Sequence, residues 1–441
     1  MGSHSPEQAE CLSVAIIGGG LCGLALAVAL KQRNIVFKVY EARSSFTELG
    51  AGINIGPNTL DAFRLIDDGL GEAYLDMAAR NPPDRQDVWF DVRLGAAIDG
   101  HGDGERVASL MASPTGSMCV GRDALLQLLA ERAGLVDGIG RERAAFNKKL
   151  VGLEGTAGGV TMSFEDGTFE RASVVIACDG IHSAVRRLMI DPESPAATPG
   201  FSQAGVYRAM LPFQKLETVL EAQMARTSQI FPGPSGYLIM YPVSETTMNV
   251  GLWVWRRGTW PHREWVLPNQ RSAMEQNLQD WGATVRSIMD LVPDPPFYAG
   301  HYYHTQPKSH WKGRVCLIGD AAHAMPPHAG SGAGQAMEDA YVMAEVLSSA
   351  AEFDPTEARV AAALSAYEAV RRPRYERVVA ASVKGMHDWS DLYDVPVTEQ
   401  RLKDWVELAK NRFDFIWKHD LAGDASGAQA SMRQNAVPSI I

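Results

Sequence analysis

The sequence predicts an α/β fold: a doubly wound parallel sheet, interrupted by a block of antiparallel strands and followed by helices. Three observations carry this. The uncharged run SVAIIGGGLCGLALAVAL, residues 13–30, joins a short β-branched segment to a helix-forming one through glycines. A second strand, turn and helix pattern appears far down the chain in GRVCLIGDAAHAMPPHAGSGAGQAMEDAYVMAEVL. Between them, residues 196–295 alternate apolar and polar side chains in runs such as GYLIMYPV and TMNVGLWVW, the period of antiparallel strands with one buried face.

In the opening run, residues 14–17 suit a buried parallel strand and residues 21–30 suit a helix. Gly18, Gly20 and Gly23 at the junction fit GxGxxG. The first allows a tight turn, the second a close backbone approach to a pyrophosphate, and the third close helix–strand packing, with the helix start facing the phosphates. A second strand at 37–40 ends in Glu41, where a carboxylate can accept both hydroxyls of an adenosine ribose. This predicts a dinucleotide site of Rossmann type, for FAD or NAD rather than a 2′-phosphorylated NADP.

The later pattern uses different chemistry. Residues 315–318 predict a strand closed by Gly319 and Asp320, and glycines 330, 332 and 334 lead into a helix beginning near Gly334. An acid at a strand end can bind a sugar-like chain, and backbone at a helix start can stabilise negative charge on a flat ring's carbonyl oxygen. A reduced flavin needs both. A third segment, VVIACDGIHSAVRRLM, predicts a strand at 174–177, a turn at Asp179 and Gly180, and a helix at 183–189.

The remaining elements are simpler. FEDGTFE, with Asp166-Gly167 at its centre, is a hairpin signal. Helical periodicity covers 357–371 and 375–389, and an amphipathic helix fits 398–409. Residues after about 421 are small and polar and predict a loose tail. Trp253 and Trp255 share a strand face, which predicts core packing in preference to substrate stacking.

Composition narrows the function classes. With 441 residues, 46 % hydrophobic and 21 % charged, the chain has a globular composition with room for two or three domains. A formal charge of −11 and the lack of a basic run argue against nucleic acid as a partner. Five cysteines without a CxxC pair predict reduced, buried thiols in a cytoplasmic protein. The opening run has Glu7 and Glu10 before it instead of basic residues, and four glycines interrupt it, so neither a secretory signal nor a membrane anchor is expected. No metal site is expected.

Taken together, GxGxxG with Glu41, CDGIHSAVRR and IGDAAHAMPPHAGSGAGQAMEDA resemble the three fingerprints of single-component FAD-dependent aromatic hydroxylases. The stretches GEAYLDMAARNPPDRQDVWFDVRLG, YRAM, MPPHAGSGAGQ and RFDFIWKHDL resemble more narrowly the salicylate hydroxylases and fungal phenol hydroxylase relatives. At Ala329 and Ser331 the chain departs from the Gln and Ala those salicylate enzymes carry.

The resemblance implies a discontinuous FAD domain over 1–85, 110–195 and 296–380, a substrate-binding sheet over 86–109 and 196–295, and C-terminal helices with a tail over 381–441. It implies FAD as cofactor, NADH or NADPH as transient co-substrate, and O2 and a small phenol as substrates, with oxygen transferred through a flavin C4a-hydroperoxide. Salicylate-type decarboxylating hydroxylation is the first expectation, and oxidation or dearomatisation of a resorcinol- or orcinol-like ring the second. A flavin-binding reductase or redox sensor is the rival of another class. Monomer and homodimer stay open.

Carried over residue by residue, the cofactor set is Gly18, Gly20, Gly23, Glu41, Ala51, Gly52, Arg122, Asp320 and Ala333. Arg208 is the expected anion clamp, because an arginine in a short apolar strand needs a counter-charge, with a snorkelling side chain as the bland alternative. The resemblance adds Tyr241 as its partner, with Tyr237 and Tyr207 as competitors. His328, in the loop expected past the flavin, is the candidate acceptor of the phenol proton through a pKa near neutrality. His323 is expected to be structural.

Overall fold

A computed structural model describes residues 11–47, 52–136, 140–156, 158–300, 305–352 and 356–436. Its first sheet has six strands in the order Trp311–Lys312, Val315–Leu317, Val174–Ala177, Ser13–Ile17, Val36–Tyr40 and Ala144–Ala145. All neighbours are parallel except the first pair.

Alternation along the opening strand explains why it carries no charge. Val14 and Ile16 pack with helices Leu21–Gln32 and Gly332–Ala351, while Ala15 and Ile17 pack against Leu150, Val160 and Met162 of a three-stranded antiparallel sheet. A strand covered on both faces has no side exposed to water. The layer on the second face is thus largely a small sheet. Its hairpin, Gly159–Phe164 to Phe169–Ala172, turns at Gly167 with φ +80°, where FEDGTFE predicts it.

The second large sheet has eight strands: Val266–Leu267, Phe297–Ala299, Ala204–Pro212, Thr247–Trp255, Gly236–Pro242, Gln229–Gly233, Val88–Arg93 and Arg106–Met111. Strand Phe297–Ala299 lies just past the boundary expected at 295, and Arg106–Met111 runs across the one expected at 109. The expectation of a single buried face is corrected. Tyr207, Leu238, Met240, Val250 and Leu252 face a core containing Met274, Val285 and Ile288 of helices Arg271–Asn277 and Ala283–Asp290. The opposite face, with Val206, Tyr237, Tyr241 and Trp253, joins a cluster that includes Trp389 and Phe413 from the C-terminal region.

Three C-terminal expectations change. The two helices expected at 357–371 and 375–389 are one 34-residue helix, Glu357–Ser390, with Pro373 inside it. Proline removes a backbone donor and ordinarily breaks a helix. Here Arg371 and Arg374, on either side of it, are anchored in buried ion pairs. The expected loose tail is instead helix Leu421–Ala436, in which Leu421, Ala425, Ala428 and Met432 are buried. That spacing forms one apolar stripe, and the small alanines let it lie close to helices Gly332–Ala351 and Glu357–Ser390. The helix expected near Gly334 begins at Gly332. By contrast, helix Glu399–Asn411 agrees with expectation, with the Thr398 hydroxyl accepting from the Arg401 amide at 3.2 Å.

Among the described residues no helix is long and apolar enough to cross a membrane. Cys22, Cys119, Cys178 and Cys316 are buried free thiols, and Cys11 is exposed.

Candidate active site

The glycine turn is built as the chemistry requires. Gly18 has φ +103°, and a Cβ there would lie 2.5 Å from the Cys178 carbonyl oxygen, in the neighbouring strand's exit loop. A Cβ on Gly23 would lie 2.0 Å from the Gly18 carbonyl oxygen, so the third glycine lets helix and turn touch. Gly20 differs, because a Cβ there would meet nothing within 4 Å. It faces an open cavity between the two large sheets.

That cavity has a volume of about 390 Å³, within the roughly 300–1,000 Å³ of a small-molecule pocket. Gly20, Gly52, Arg122, Asp320 and Ala333 line it, gathered from five separate stretches of chain. Arg122 begins helix Arg122–Ala133, Asp320 begins helix Asp320–His323, and Ala333 lies in the first turn of Gly332–Ala351. Free amides at the start of that last, 20-residue helix are suited to negative charge on a flat ring. These residues fit FAD: an open glycine cradle for the pyrophosphate, a cation nearby, and a carboxylate at a strand end for hydroxyls.

Other cofactor expectations fall elsewhere. Gly18 and Gly23 lie behind the cradle as packing residues. Glu41 is not among the cavity-lining residues. Its carboxylate accepts from the Gly19 amide at 2.7 Å and the Arg43 amide at 2.8 Å, which holds the acid against the glycine turn. Ala51 lies outside the described residues. In the second fingerprint, Arg186 is buried and donates to the carbonyls of Ala196, Thr305, Ala321 and Ala322, tying this segment to the Asp320 helix.

The far end of the cavity is aromatic and aliphatic, with Trp89, Phe90, Val206, Ile230, Trp253 and Trp389 among its walls. Arg208 enters it from strand Ala204–Pro212. Its Nε is buried without a hydrogen-bond partner, and no carboxylate among the described residues pairs with its guanidinium. The snorkelling alternative does not describe a side chain lining this cavity.

Tyr241 lines the same space, and its hydroxyl donates to the Gly52 carbonyl at 3.3 Å. Burial pushes its phenol up to about 12, so it remains a donor at neutral pH. Tyr237 is also present, 2.8 Å from Nδ1 of His328. Tyr207 is removed as a competitor, since it packs on the opposite sheet face and its hydroxyl accepts from Asn277 at 3.1 Å.

His328 is where the sequence places it, in a loop lining the cavity, but its expected near-neutral titration is corrected. Burial, reinforced by the nearby Arg412 guanidinium, lowers it to about 3. The imidazole is therefore neutral at physiological pH and a weak proton acceptor. His323 is buried, with Nε2 2.6 Å from Oδ2 of Asp339 and its ring stacked on Tyr375.

Sequence reasoning missed several wall residues. Trp389 reaches the cavity from helix Glu357–Ser390, and Phe413 from the turn after helix Glu399–Asn411, both remote in sequence from the other walls. Trp253 packs in a core cluster, as expected, and also borders the cavity, with its ring centroid 4.8 Å from that of His328. Asn249 is buried and lines the cavity, and its Oδ1 has no partner.

With this geometry in place, comparison with known proteins is informative. Residues 11–382 match the family described as FAD binding domain. The chain is 34 % identical over 436 residues to a salicylate hydroxylase of Pseudomonas putida, covering 96 % of this chain and 95 % of that one. It is 35 % identical over 419 residues to a 6-methylsalicylate 1-monooxygenase of Aspergillus terreus, covering 93 % and 90 %. Among solved structures, a salicylate hydroxylase substrate complex superposes with a TM-score of 0.83 at 30 % identity, covering 96 % of this chain and 98 % of that chain. The chain belongs to the FAD binding domain family. It is an FAD-dependent aromatic monooxygenase of salicylate hydroxylase type that uses a reduced nicotinamide as co-substrate.

Proposed function

We propose that the protein hydroxylates a small phenolic ring, with salicylate-type decarboxylating hydroxylation as the leading reading. The observation that carries this is Arg208, which no carboxylate among the described residues pairs with, in the cavity that also holds the cofactor cradle. A half-buried cation without a nearby anion is costly, and a carboxylate or phenolate on the substrate supplies the missing charge. The similarity to enzymes named for salicylate and 6-methylsalicylate supports an anionic hydroxylated ring.

FAD, when bound, would supply the redox chemistry between the reduced nicotinamide, O2 and the ring. The chain does the rest. Arg208 binds the substrate anion and favours its deprotonated, electron-rich form. Tyr241, protonated and tied to Gly52, links the substrate sheet to the cofactor loop. Neutral His328 with Tyr237 borders the ring as a hydrogen-bonding pair, in place of the proton acceptor expected from sequence. Trp89, Phe90, Trp253 and Trp389 exclude water.

The test supplies purified holoprotein with NADH and a panel of phenols, following substrate-stimulated NADH oxidation, product mass and CO2 release. Catechol and CO2 from salicylate are expected. Oxidation of a 1,3-dihydroxybenzene without CO2 release would replace the decarboxylating reading with a resorcinol- or orcinol-type one. Peroxide formation without new product from any ring would overturn both.

A further inference from the structure

The floor of the substrate end is a sheet face whose register is known residue by residue. Arg208 pairs across strands with Gly251, and Gly251 pairs on its other side with Ile239. Two residues before Gly251, on the same face, is Asn249, which pairs with Met210 and Tyr241. Two residues after it stands Trp253, paired with Val206 and Tyr237. Gly251 is thus a notch in this face, bordered by Arg208, Ile239, Asn249 and Trp253.

A Cβ on Gly251 would lie 3.3 Å from Cγ2 of Val206 and 3.5 Å from Cγ2 of Ile239, so even a methyl group fills the notch. With no side chain of its own, Gly251 lets a flat ring approach the sheet backbone between Val206 and Ile239. A ring seated there has Arg208 beside it and Asn249 on the diagonal, about 7–8 Å from Arg208 along the sheet.

Asn249 is only 1 % exposed, and its Oδ1 has no hydrogen-bond partner. An interior amide in this state carries a desolvation cost that a packing role would avoid, since an aliphatic side chain would fill the same place. Among the described residues nothing satisfies it, and it borders the cavity. A neutral hydroxyl both donates and accepts, so it can complete an amide's hydrogen bonding. A second anion has no proton to donate to the amide oxygen.

Building on the phenolic reading above, we propose that Asn249 is a specificity-determining residue that hydrogen-bonds a neutral ring hydroxyl, while Arg208 holds the ring's anionic oxygen and Gly251 seats its face. The substrate class is then a ring carrying two oxygen substituents, one anionic and one protonated.

The test measures dissociation constants by perturbation of the bound-flavin spectrum, with no reductant present, for two matched pairs: salicylate against benzoate, and resorcinol against phenol. Wild-type holoprotein should bind the dihydroxy or hydroxy-acid member of at least one pair about tenfold or more tightly than its partner, because a buried polar group left unpaired penalises the lesser ligand. In Asn249→Leu, and in the smaller Asn249→Ala should the first fail to retain flavin, that ratio should fall to about twofold or less, with affinity for the simpler ring little changed. Gly251→Val should weaken all four rings. An unchanged ratio in the Asn249 variants, or equal weakening of both members, would overturn the assignment and mark Asn249 as a packing residue. If the wild type bound none of the four rings, the phenolic reading itself would fail, and this inference with it.

Discussion

Two neighbouring parts of the molecule treat buried polarity in opposite ways. Behind the cavity, helices Gly332–Ala351 and Glu357–Ser390 enclose Glu338, Asp339, Arg371 and Arg374, every one of them partnered. Arg371 donates to Glu338 at 2.7 Å and to Asp339 at 2.9 Å. Arg374 donates to Glu338 and to the carbonyls of Phe415 and Ile416. Asn58 and Gln335 complete Glu338, and the Gly319 amide and His323 complete Asp339. At the cavity itself, Arg208 and Asn249 keep orphaned atoms. The four paired charges hold the helices and the third fingerprint together, whereas the orphaned atoms at the cavity leave hydrogen-bonding capacity open to a ligand.

The comparison can be broken most forcefully from the closed side. Arg371→Ala leaves two buried carboxylates without their shared cation, and should cost about 3–5 kcal/mol of stability in denaturant unfolding of the holoprotein. An effect below about 1 kcal/mol, the level of a surface pair, would show that the network is not what holds these helices.

Next comes the open side. Arg208→Ala should lower phenol affinity roughly hundredfold, the loss of a charge-assisted contact, with FAD retained and unfolding shifted by less than about 1 kcal/mol. Stability loss comparable to Arg371→Ala would erase the distinction, and undiminished turnover would remove Arg208 from the clamp role.

Acid sharpens it further. Burial lowers both His328 and His310 to about 3, against an unfolded value near 6.5. Between those values the unfolded chain binds protons that the folded chain does not, so stability should fall as pH drops from about 6.5 toward 3. Asp339 works in the same direction. Burial would raise its carboxyl, but His323 and Arg371 hold it well below the ordinary range, and its contribution is lost as acid finally protonates it. Unfolding midpoints measured across this window in His328→Gln should show a pH slope shallower by up to about 1.4 kcal/mol per unit. An unaltered slope would mean that His328 is not buried as a neutral imidazole.

The smallest effect is expected at the boundary between the two regions. Tyr237→Phe removes the 2.8 Å hydrogen bond to His328 and should cost about 1 kcal/mol of stability. A much larger loss, measured the same way, would place Tyr237 and His328 inside the closed network.

How much was legible beforehand depended on whether the signal was local. Gly18, Gly20 and Gly23 mark a turn because φ and contact distance at three nearby positions decide it, and FEDGTFE marks a hairpin for the same reason. Arg208 stood out as a charge in an apolar strand. Asn249 did not, since a polar residue in a strand of unknown register points equally well to either face. The Leu421–Ala436 helix was hidden because alanine and glycine look like a tail until a partner groove exists. The continuity of the helix between 371 and 375 was hidden because the ion pairs of Arg371 and Arg374 come from another helix. The titration of His328 was misjudged because burial is a property of its surroundings, Trp253, Tyr237 and Arg412 among them.

Sequence by itself determined the glycine turn, the acid after the second strand and the strand, turn and helix pattern of the opening run, and thereby a dinucleotide-binding fold. Each depends on backbone conformation and side-chain period over a few residues. Tertiary structure alone decided which side chains share the cavity, which of its polar groups remain unpaired, and which carboxylates and arginines close on one another. Those outcomes depend on desolvation and partner geometry between segments hundreds of residues apart, and no local pattern encodes them.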